Sequence, residues 1–444
     1  MTEQAGYYGK RRKWHSWGYE DEVISQAEVK EMAVRVGKRL GIDEPVVLSD
    51  PTLEEIELRE SRISIPASLS SFCNSDKWDR VSHSYGKSFK DLTRIFRRDF
   101  TNPPDVIAYP RNEAEVAAVL DWCGDNGYAA IPYGGGSSVT DGFTAPEDCD
   151  GSVIIDLWHI RRSCECSSLG GSVAARAGGL YATHLTHIDD MVQSLRVVTP
   201  RGTIENRRLP GSGAGPDPDR LFIGSEGSLG IITQAWMKLQ GRVVFRANAT
   251  ITFDTFYQGA AAIRQITQAG LFPANCRYLD AQDAQFYGAG DGTKSVLLLG
   301  FESADHPVDV WLERGVEICQ DHGGEVVTKT GSGGDALKSS RSGAQGNWRE
   351  QFRYLPRLMH TRAAMGVVSF TFETAYTWDK FEAVDTEIIR RVSEAQKALT
   401  GGGIVCRRFS FLYPDGPAPY YSVVAPSTHE TSLEHYQALS DVAS

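Results

Sequence analysis

Three consecutive glycines form the run in this chain that is best suited to binding a phosphate. Gly134, Gly135 and Gly136 follow the apolar segment 128–132 and precede two serines. Without Cβ atoms the backbone can turn tightly and present several N–H groups to one anion. The spacing matches neither the G-x-G-x-x-G fingerprint nor the G-K-[ST] loop. The run predicts a phosphate loop, with a plain structural loop as the alternative, made of Tyr133, Gly134, Gly135, Gly136, Ser137, Ser138 and Val139.

Two strands and a helix are predicted to position this loop. The segment 103–110 has the composition of a short strand, and Asn112 is a typical N-cap for the helix that follows it. Apolar residues recur at helical spacing in that helix, at Val116, Val119, Leu120 and Cys123. The segment 152–157 predicts the next strand.

Two more stretches of small residues follow, at 172–179 and 221–233. In the second, Gly227 and Gly230 allow the backbone to approach a flat ring system, and Ile231 continues into a buried strand. A turn or tight packing is the alternative for each stretch by itself.

In this order the three stretches resemble the flavin signatures of the vanillyl-alcohol-oxidase (PCMH-type) flavoproteins. The resemblance narrows to alkyldihydroxyacetonephosphate synthases through segments 13–19, 79–84, 199–202, 372–379 and 413–416, and it covers nearly the whole chain. It implies FAD, held without a covalent link because no histidine or cysteine lies in or beside the loop. Beyond the loop, the implied FAD-binding residues are Ser168, Gly170, Gly171, Arg176, Ala177, Gly178, Asp189, Glu226, Gly227, Ser228, Leu229, Gly230, Ile231 and Ile232.

The resemblance also implies a redox-neutral reaction, in which the acyl group of acyl-dihydroxyacetone phosphate is exchanged for a fatty alcohol. Tyr420 matches the family's catalytic tyrosine, although Tyr421 is adjacent and a packed core tyrosine is the alternative. Arg277 matches an arginine that the family needs for activity, and a surface salt bridge is its alternative. Arg357 is the nearest candidate for binding the substrate phosphate, but an ungapped alignment places Met359 there.

The histidines that follow the stretch at 172–179 are not expected to form a metal site. His184 and His187 lack a third ligand nearby in sequence, so hydrogen bonding beside the flavin is the favoured role, and no metal is predicted.

Two other functions stay open. A flavin-dependent dehydrogenase of D-2-hydroxy acids, such as D-lactate or glycolate, shares the Ser225-Glu226-Gly227 block. An inactive remnant is the other, because an internal segment that the family carries after Arg162 is missing here, as is the family's histidine cluster beyond Ser444.

The predicted fold is α+β, with a PCMH-type FAD-binding domain and a ferredoxin-like capping domain. The boundaries are a helical N-terminal region over 1–98, the FAD domain over 99–243 and the substrate domain over 244–444. Residues 331–345 are rich in glycine and serine and predict a mobile loop.

Composition excludes some partners. A net charge of −11 disfavours nucleic acid, and no apolar run is long enough for a membrane span. The eight scattered cysteines fit an intracellular, cytoplasmic protein, or a peroxisomal one in a eukaryote. The basic cluster at 10–13 is interpreted as a solvated tail. A small-molecule or lipid substrate is expected. Peripheral contact with a membrane and a homodimer both stay open.

Overall fold

The computed structural model describes residues 11–22, 24–160, 163–164, 167–179, 187–209, 215–332 and 343–444. Within them, four sheets and the helices around them form an α+β fold. No helix in the described part of the chain has both the length and the apolar composition of a membrane crossing.

The N-terminal region contains three helices joined by irregular segments. Its elements are α1 (Gln26–Leu40), β1 (Cys73–Asn74), α2 (Lys77–Ser82) and α3 (Phe89–Phe96). Ser25 and Glu28 form a capping box at the start of α1, as their three-residue spacing in the sequence indicates. The prediction of a mostly helical region is wrong, because residues 42–72 contain no helix. Pro45, Pro51 and Pro66 lie in that segment, and proline interrupts the helical hydrogen bonds.

A mostly parallel sheet carries the glycine loop at one of its ends. It contains β2 (Val106–Ala108), β3 (Ala129–Tyr133) and β4 (Ser152–Asp156) in the order β1-β2-β4-β3, in which only β1 is antiparallel. Helix α4 (Glu113–Asn126) connects β2 to β3, and Asn112 caps it as predicted by accepting from the N–H of Glu115 at 3.0 Å. The fully buried Val116 and Val119 pack this helix onto the sheet.

A second, antiparallel sheet follows. Its strands are β7 (Val192–Thr199), β8 (Gly202–Glu205) and β9 (Ile231–Met237), in the order β8-β7-β9. The shorter elements of this part are β5 (Ser163–Cys164), β6 (Ser167–Ser168), α5 (Leu169–Ala174), α6 (Ile188–Met191) and α7 (Asp219–Phe222). The predicted internal deletion falls beside residues 161–162 and 165–166, which lie outside the described residues, so it stays a prediction.

The C-terminal half is built on a seven-stranded antiparallel sheet in the order β13-β10-β12-β11-β15-β16-β14. Its strands are β10 (Phe245–Phe253), β11 (Asn275–Leu279), β12 (Ser295–Ser303), β13 (Glu325–Thr330), β14 (Val368–Glu373), β15 (Ile404–Leu412) and β16 (Pro417–Ala425). Its helices are α8 (Phe256–Gln268), α9 (Ala281–Phe286), α10 (Asp309–Asp321), α11 (Gly343–Ala364), α12 (Trp378–Thr400) and α13 (Ser432–Ala443). The predicted mobile loop at 331–345 ends too late, because α11 already begins at Gly343; residues 333–342 lie outside the described residues.

Candidate active site

Four polar side chains lie on one face of the seven-stranded sheet. Tyr420 on β16 pairs with Arg408 on β15 and with Glu373 on β14. Arg408 pairs in turn with Leu279 on β11, two residues after Arg277. Because directly paired residues and residues two apart share a face of a sheet, these side chains lie on the same side.

Arg277 joins this face to the small-residue stretch at 172–179. Its guanidinium is buried, donates to the carbonyl of Phe409 at 3.0 Å and lies 5.2 Å from the centre of the Trp348 ring. It also donates to the carbonyl of Gly179 at 3.4 Å. Burial, and next the charge of Arg408, lower the pKa of Arg277 to about 10. The surface salt bridge considered for Arg277 is therefore excluded by its burial.

Arg408 is a second buried cation on this face. One of its terminal nitrogens lies 3.3 Å from both carboxylate oxygens of Asp283, which fixes the side chain. Its guanidinium lies 4.2 Å from the centre of the Tyr420 ring, within the range of a cation–π contact.

The two adjacent tyrosines have different environments. Tyr421 is fully buried, donates to Asp385 at 2.9 Å and stacks on Phe372. Burial raises the pKa of Tyr421 far above its ordinary value. Tyr420 is half-buried on the opposite face, and its hydroxyl donates to Thr371 at 2.8 Å. Tyr421 is thus the core tyrosine, and Tyr420 faces the polar side of the sheet.

Glu373 lies beside Tyr420 at the edge of this face. The side chain is open to solvent, yet desolvation by the surrounding protein raises the pKa of Glu373 to about 7, against the opposing charges of Arg277 and Arg408. A carboxyl group with a pKa near neutrality can hold or release a proton under ordinary conditions.

We expect Glu373→Gln to stabilise the apoprotein more at pH 8 than at pH 5. The folded protein binds this proton with a pKa of about 7, against 4.5 for the ordinary group, so ionisation of Glu373 costs stability as pH rises between these values. Glutamine does not ionise and removes that cost. Urea unfolding of wild type and variant at both pH values measures the difference. The exposed Glu57→Gln serves as control, and equal changes at both pH values would contradict the expectation.

Arg357 is not brought to this face. Its guanidinium lies 5.1 Å from the centre of the Tyr354 ring on α11. It also lies near Glu28 of α1, whose pKa is lowered first by Ser25 and then by Arg357. Met359, the ungapped alternative, packs with Leu92 and Phe96 of α3. Within the described residues, no contact joins Arg357 to Arg277, Arg408 or Tyr420.

The glycine loop leaves β3 at Tyr133 and turns back at Gly136, which has a φ of 68°. A Cβ at Gly136 would lie 2.2 Å from the Tyr133 hydroxyl, and one at Gly134 would lie 2.4 Å from Oγ of Ser168. Ser168 itself accepts from the N–H of Gly171 at 3.0 Å, as the N-cap of α5. The loop and the start of α5 are therefore in close contact.

The block 225–232 contacts both neighbouring stretches. Gly227, with a φ of 85°, approaches the Pro132 ring so closely that a Cβ would lie 2.7 Å from it. The N–H of Glu226 donates to the carbonyl of Ala174 at 2.9 Å. Gly230 approaches β7, and Ile231 begins β9 as a buried residue. Gly170 lies near Ile232, while Ser228 and Leu229 are exposed.

The end of the middle stretch meets the large sheet. A Cβ at Gly178 would lie 2.2 Å from the Phe411 ring of β15. Close by, Asp189 binds the guanidinium of Arg176 at 2.5 Å and hydrogen-bonds to His187. His187 thus hydrogen-bonds to Asp189, while its place beside the flavin stays a prediction; His184 lies outside the described residues. The candidate flavin residues and the face with Arg277 are consequently in contact.

Comparisons with known proteins find similarity to FAD-binding families. Residues 104–163 match the "FAD binding domain" family, and residues 244–444 match "FAD linked oxidases, C-terminal domain". An alkyldihydroxyacetonephosphate synthase from Dictyostelium discoideum is 30% identical over 50% of this chain and 43% of its own length. The Caenorhabditis elegans synthase is 23% identical over 94% of this chain and 83% of its own. These similarities support an alkyldihydroxyacetonephosphate synthase-like FAD-binding oxidoreductase.

Solved structures show the same fold. An alkyldihydroxyacetonephosphate synthase structure superposes with a TM-score of 0.78 at 19% identity, covering 98% of this chain and 94% of the other. A p-cresol methylhydroxylase structure superposes with a TM-score of 0.58 at 12% identity, covering 94% and 87%. The fold is thus α+β of the PCMH type.

A D-lactate dehydrogenase from Arabidopsis thaliana is also similar in sequence, at 29% identity over 40% of this chain and 38% of its own length.

FAD is the cofactor of this synthase-like protein, and its residues fit the group. Among the described residues, no acceptor binds the backbone N–H groups of Gly135, Gly136, Ser137 or Ser138. A side chain at Gly136 would collide with the Tyr133 ring and could not keep this loop conformation. Free amides around a loop without Cβ atoms are what a pyrophosphate requires.

Two functional candidates were missed by sequence reasoning. No sequence pattern singles out Arg408, and Glu373 belongs to the segment 372–379 without a role of its own. Both residues pair with Tyr420 across neighbouring strands. This pairing can be recognised only when the order of β15, β16 and β14 is known.

Proposed function

We propose that the protein exchanges the acyl group of acyl-dihydroxyacetone phosphate for a fatty alcohol. The observation that carries the proposal is the shared face of Arg277, Arg408 and Tyr420, which Arg277 ties to Gly179 beside the candidate flavin residues. Buried guanidinium groups bind phosphate strongly, and a tyrosine beside them can take a proton from carbon.

The residues divide the work as follows. Bound FAD supplies an oxidised ring that acts as an electrophile. Arg277 and Arg408 bind the substrate phosphate, and the contacts of the described residues favour them over Arg357. Tyr420 is the base that removes the carbon-bound proton, and Glu373 beside it exchanges protons with solvent.

The wider assignment follows from this function. We propose that residues 99–243 bind FAD without a covalent link, that residues 244–444 bind substrate, and that residues 1–98 support both. The protein would work inside the cell, in the cytoplasm or in the peroxisome of a eukaryote. Peripheral contact with a membrane would deliver the fatty alcohol, and a homodimer is the expected assembly.

The test is an exchange assay with the purified protein and labelled hexadecanol. We expect label to enter the lipid product without net reduction of flavin. Arg277→Met should raise KM for acyl-dihydroxyacetone phosphate about tenfold or more, through loss of a charge-assisted contact. Arg357→Met is the matched control and should leave KM unchanged. Flavin occupancy is measured for both variants.

Oxidation of a D-2-hydroxy acid is the second candidate function. It is favoured by the similarity to a D-lactate dehydrogenase, and the same arginines would suit a carboxylate. Bleaching of the flavin by D-lactate or glycolate without oxygen, together with no exchange, would replace the proposed function. Absence of both activities in flavin-loaded protein would indicate an inactive remnant.

A further inference from the structure

A pocket lies at the carboxyl ends of the parallel strands. Tyr109, Tyr133 and Asp156, which end or directly follow β2, β3 and β4, line it together with the glycine loop. Ligands of open α/β sheets bind at this end of the strands. The opposite wall consists of residues 11–18, from the N-terminal part of the chain.

Residues 11–20, here called the N-terminal strap, are folded onto the protein. The strap turns back on itself through an antiparallel bridge between Arg12 and Tyr19. Lys87 donates to the carbonyl of Trp14 at 3.0 Å, and the Trp14 ring packs edge-on against Phe100. Asp50 faces His15. The interpretation of the basic cluster as a solvated tail is wrong for residues 11–13.

Arg12 reaches the glycine loop from this strap. Its terminal nitrogen donates to the carbonyl of Gly135, and its guanidinium lies 5.6 Å from the centre of the Trp158 ring. The Nε atom of Arg12 is buried and has no hydrogen-bond partner among the described residues. A buried guanidinium nitrogen without a partner is costly unless a ligand satisfies it.

The side chains of the neighbouring Arg11 and Lys13 contact residues outside the loop. Arg11 stacks 3.7 Å from the centre of the Trp78 ring and lies 3.7 Å from Glu20. Lys13 donates to the carbonyl of Glu22. Of the three basic residues 11–13, Arg12 is the one directed at the loop.

Hydrogen bonds to two of its carbonyl groups hold the glycine loop in place. Gly135 accepts from Arg12, and Ser138 accepts from the N–H of Lys87 at 2.6 Å. The amide N–H groups from Gly135 to Ser138 keep no protein acceptor in the described part of the chain. Holding the carbonyls therefore fixes the loop with its donors available to an anion.

We propose that the N-terminal strap is part of the FAD site, and that Arg12 holds the phosphate loop and places a positive charge beside the FAD pyrophosphate. Strap and loop then form two walls around one anion, and the unpartnered Nε of Arg12 gains an acceptor when the dinucleotide binds. This inference depends on FAD as cofactor and is independent of the substrate.

The experiment titrates apoprotein with FAD and follows the quenching of flavin fluorescence. Arg12→Ala should raise the Kd for FAD about tenfold, as expected for loss of one charge-assisted hydrogen bond. Arg12→Lys, which keeps the charge, should lie between the variant and wild type. Arg35→Ala removes an exposed arginine of α1 and should leave the Kd unchanged. An unaltered or lower Kd in Arg12→Ala would overturn the proposal, and a lower one would show that the strap competes with FAD.

A second measurement uses only wild type, in case Arg12→Ala fails to fold. Hydrogen exchange of residues 11–20 is compared in apoprotein with and without ADP, which carries the same pyrophosphate. Slower exchange in the strap on adding ADP supports the proposal. Unchanged exchange in the strap, with slower exchange in the loop, would show that the strap takes no part in binding.

Discussion

Gly136→Val is expected to give a folded protein that contains no FAD. The φ of 68° at Gly136 is a left-handed conformation, which costs other L-residues about 1–2 kcal/mol and is worst for a β-branched one. The new Cβ would also collide with the Tyr133 hydroxyl at 2.2 Å. Relieving both strains must move the loop, and with it the N–H groups from Gly135 to Ser138 that we assign to the pyrophosphate. The absorption spectrum of the purified variant gives flavin per chain.

Gly41→Val is the control that separates the effect of backbone strain from the effect of a position in the glycine loop. Gly41 ends α1 with a φ of 71°, nearly that of Gly136, and nothing lies within 4 Å of its Cβ position. It therefore suffers the same backbone strain at a distance from the loop, and it should lower stability while keeping full flavin content. Stoichiometric flavin in Gly136→Val would show that the phosphates bind elsewhere.

Local patterns in the sequence predicted much of the fold correctly. The N-cap at Asn112 and the capping box at Ser25 depend on side chains within three residues of the backbone that they bind, so sequence reveals them. The apolar run at 295–301 likewise indicates the buried strand β12. Segment 42–72 departs from the predicted helical region because Pro45, Pro51 and Pro66 interrupt helical hydrogen bonds.

The site was predictable only in part, because strand register and contacts between distant segments bring its residues together. Tyr420 and Tyr421 are neighbours in sequence, and only the register of β16 with β14 and β15 sends them to opposite faces. Arg408 becomes a site residue through that register as well. The contact of Arg12 with Gly135 spans 123 residues, so no local pattern could reveal it.

Tyr420→Phe should lower the exchange rate about 100-fold or more, in line with the loss of a general base. This expectation rests on the proposed function. The Tyr420 hydroxyl donates only to Thr371 among the described residues, so its removal should leave flavin content and unfolding temperature near those of wild type.

The neighbouring variant Tyr421→Phe is the matched control. It deletes a buried hydroxyl that donates to Asp385, so it should cost about 1 kcal/mol of stability or more. Asp385 keeps the hydroxyl of Tyr257 at 2.8 Å and the guanidinium of Arg407 at 3.2 Å, which limits the loss. Exchange measured below the unfolding temperature should persist in this variant. If Tyr421→Phe abolished exchange while Tyr420→Phe retained it, the base would have to lie on the other face of the sheet, and the assignment of Arg277 and Arg408 to the substrate phosphate would fall with it.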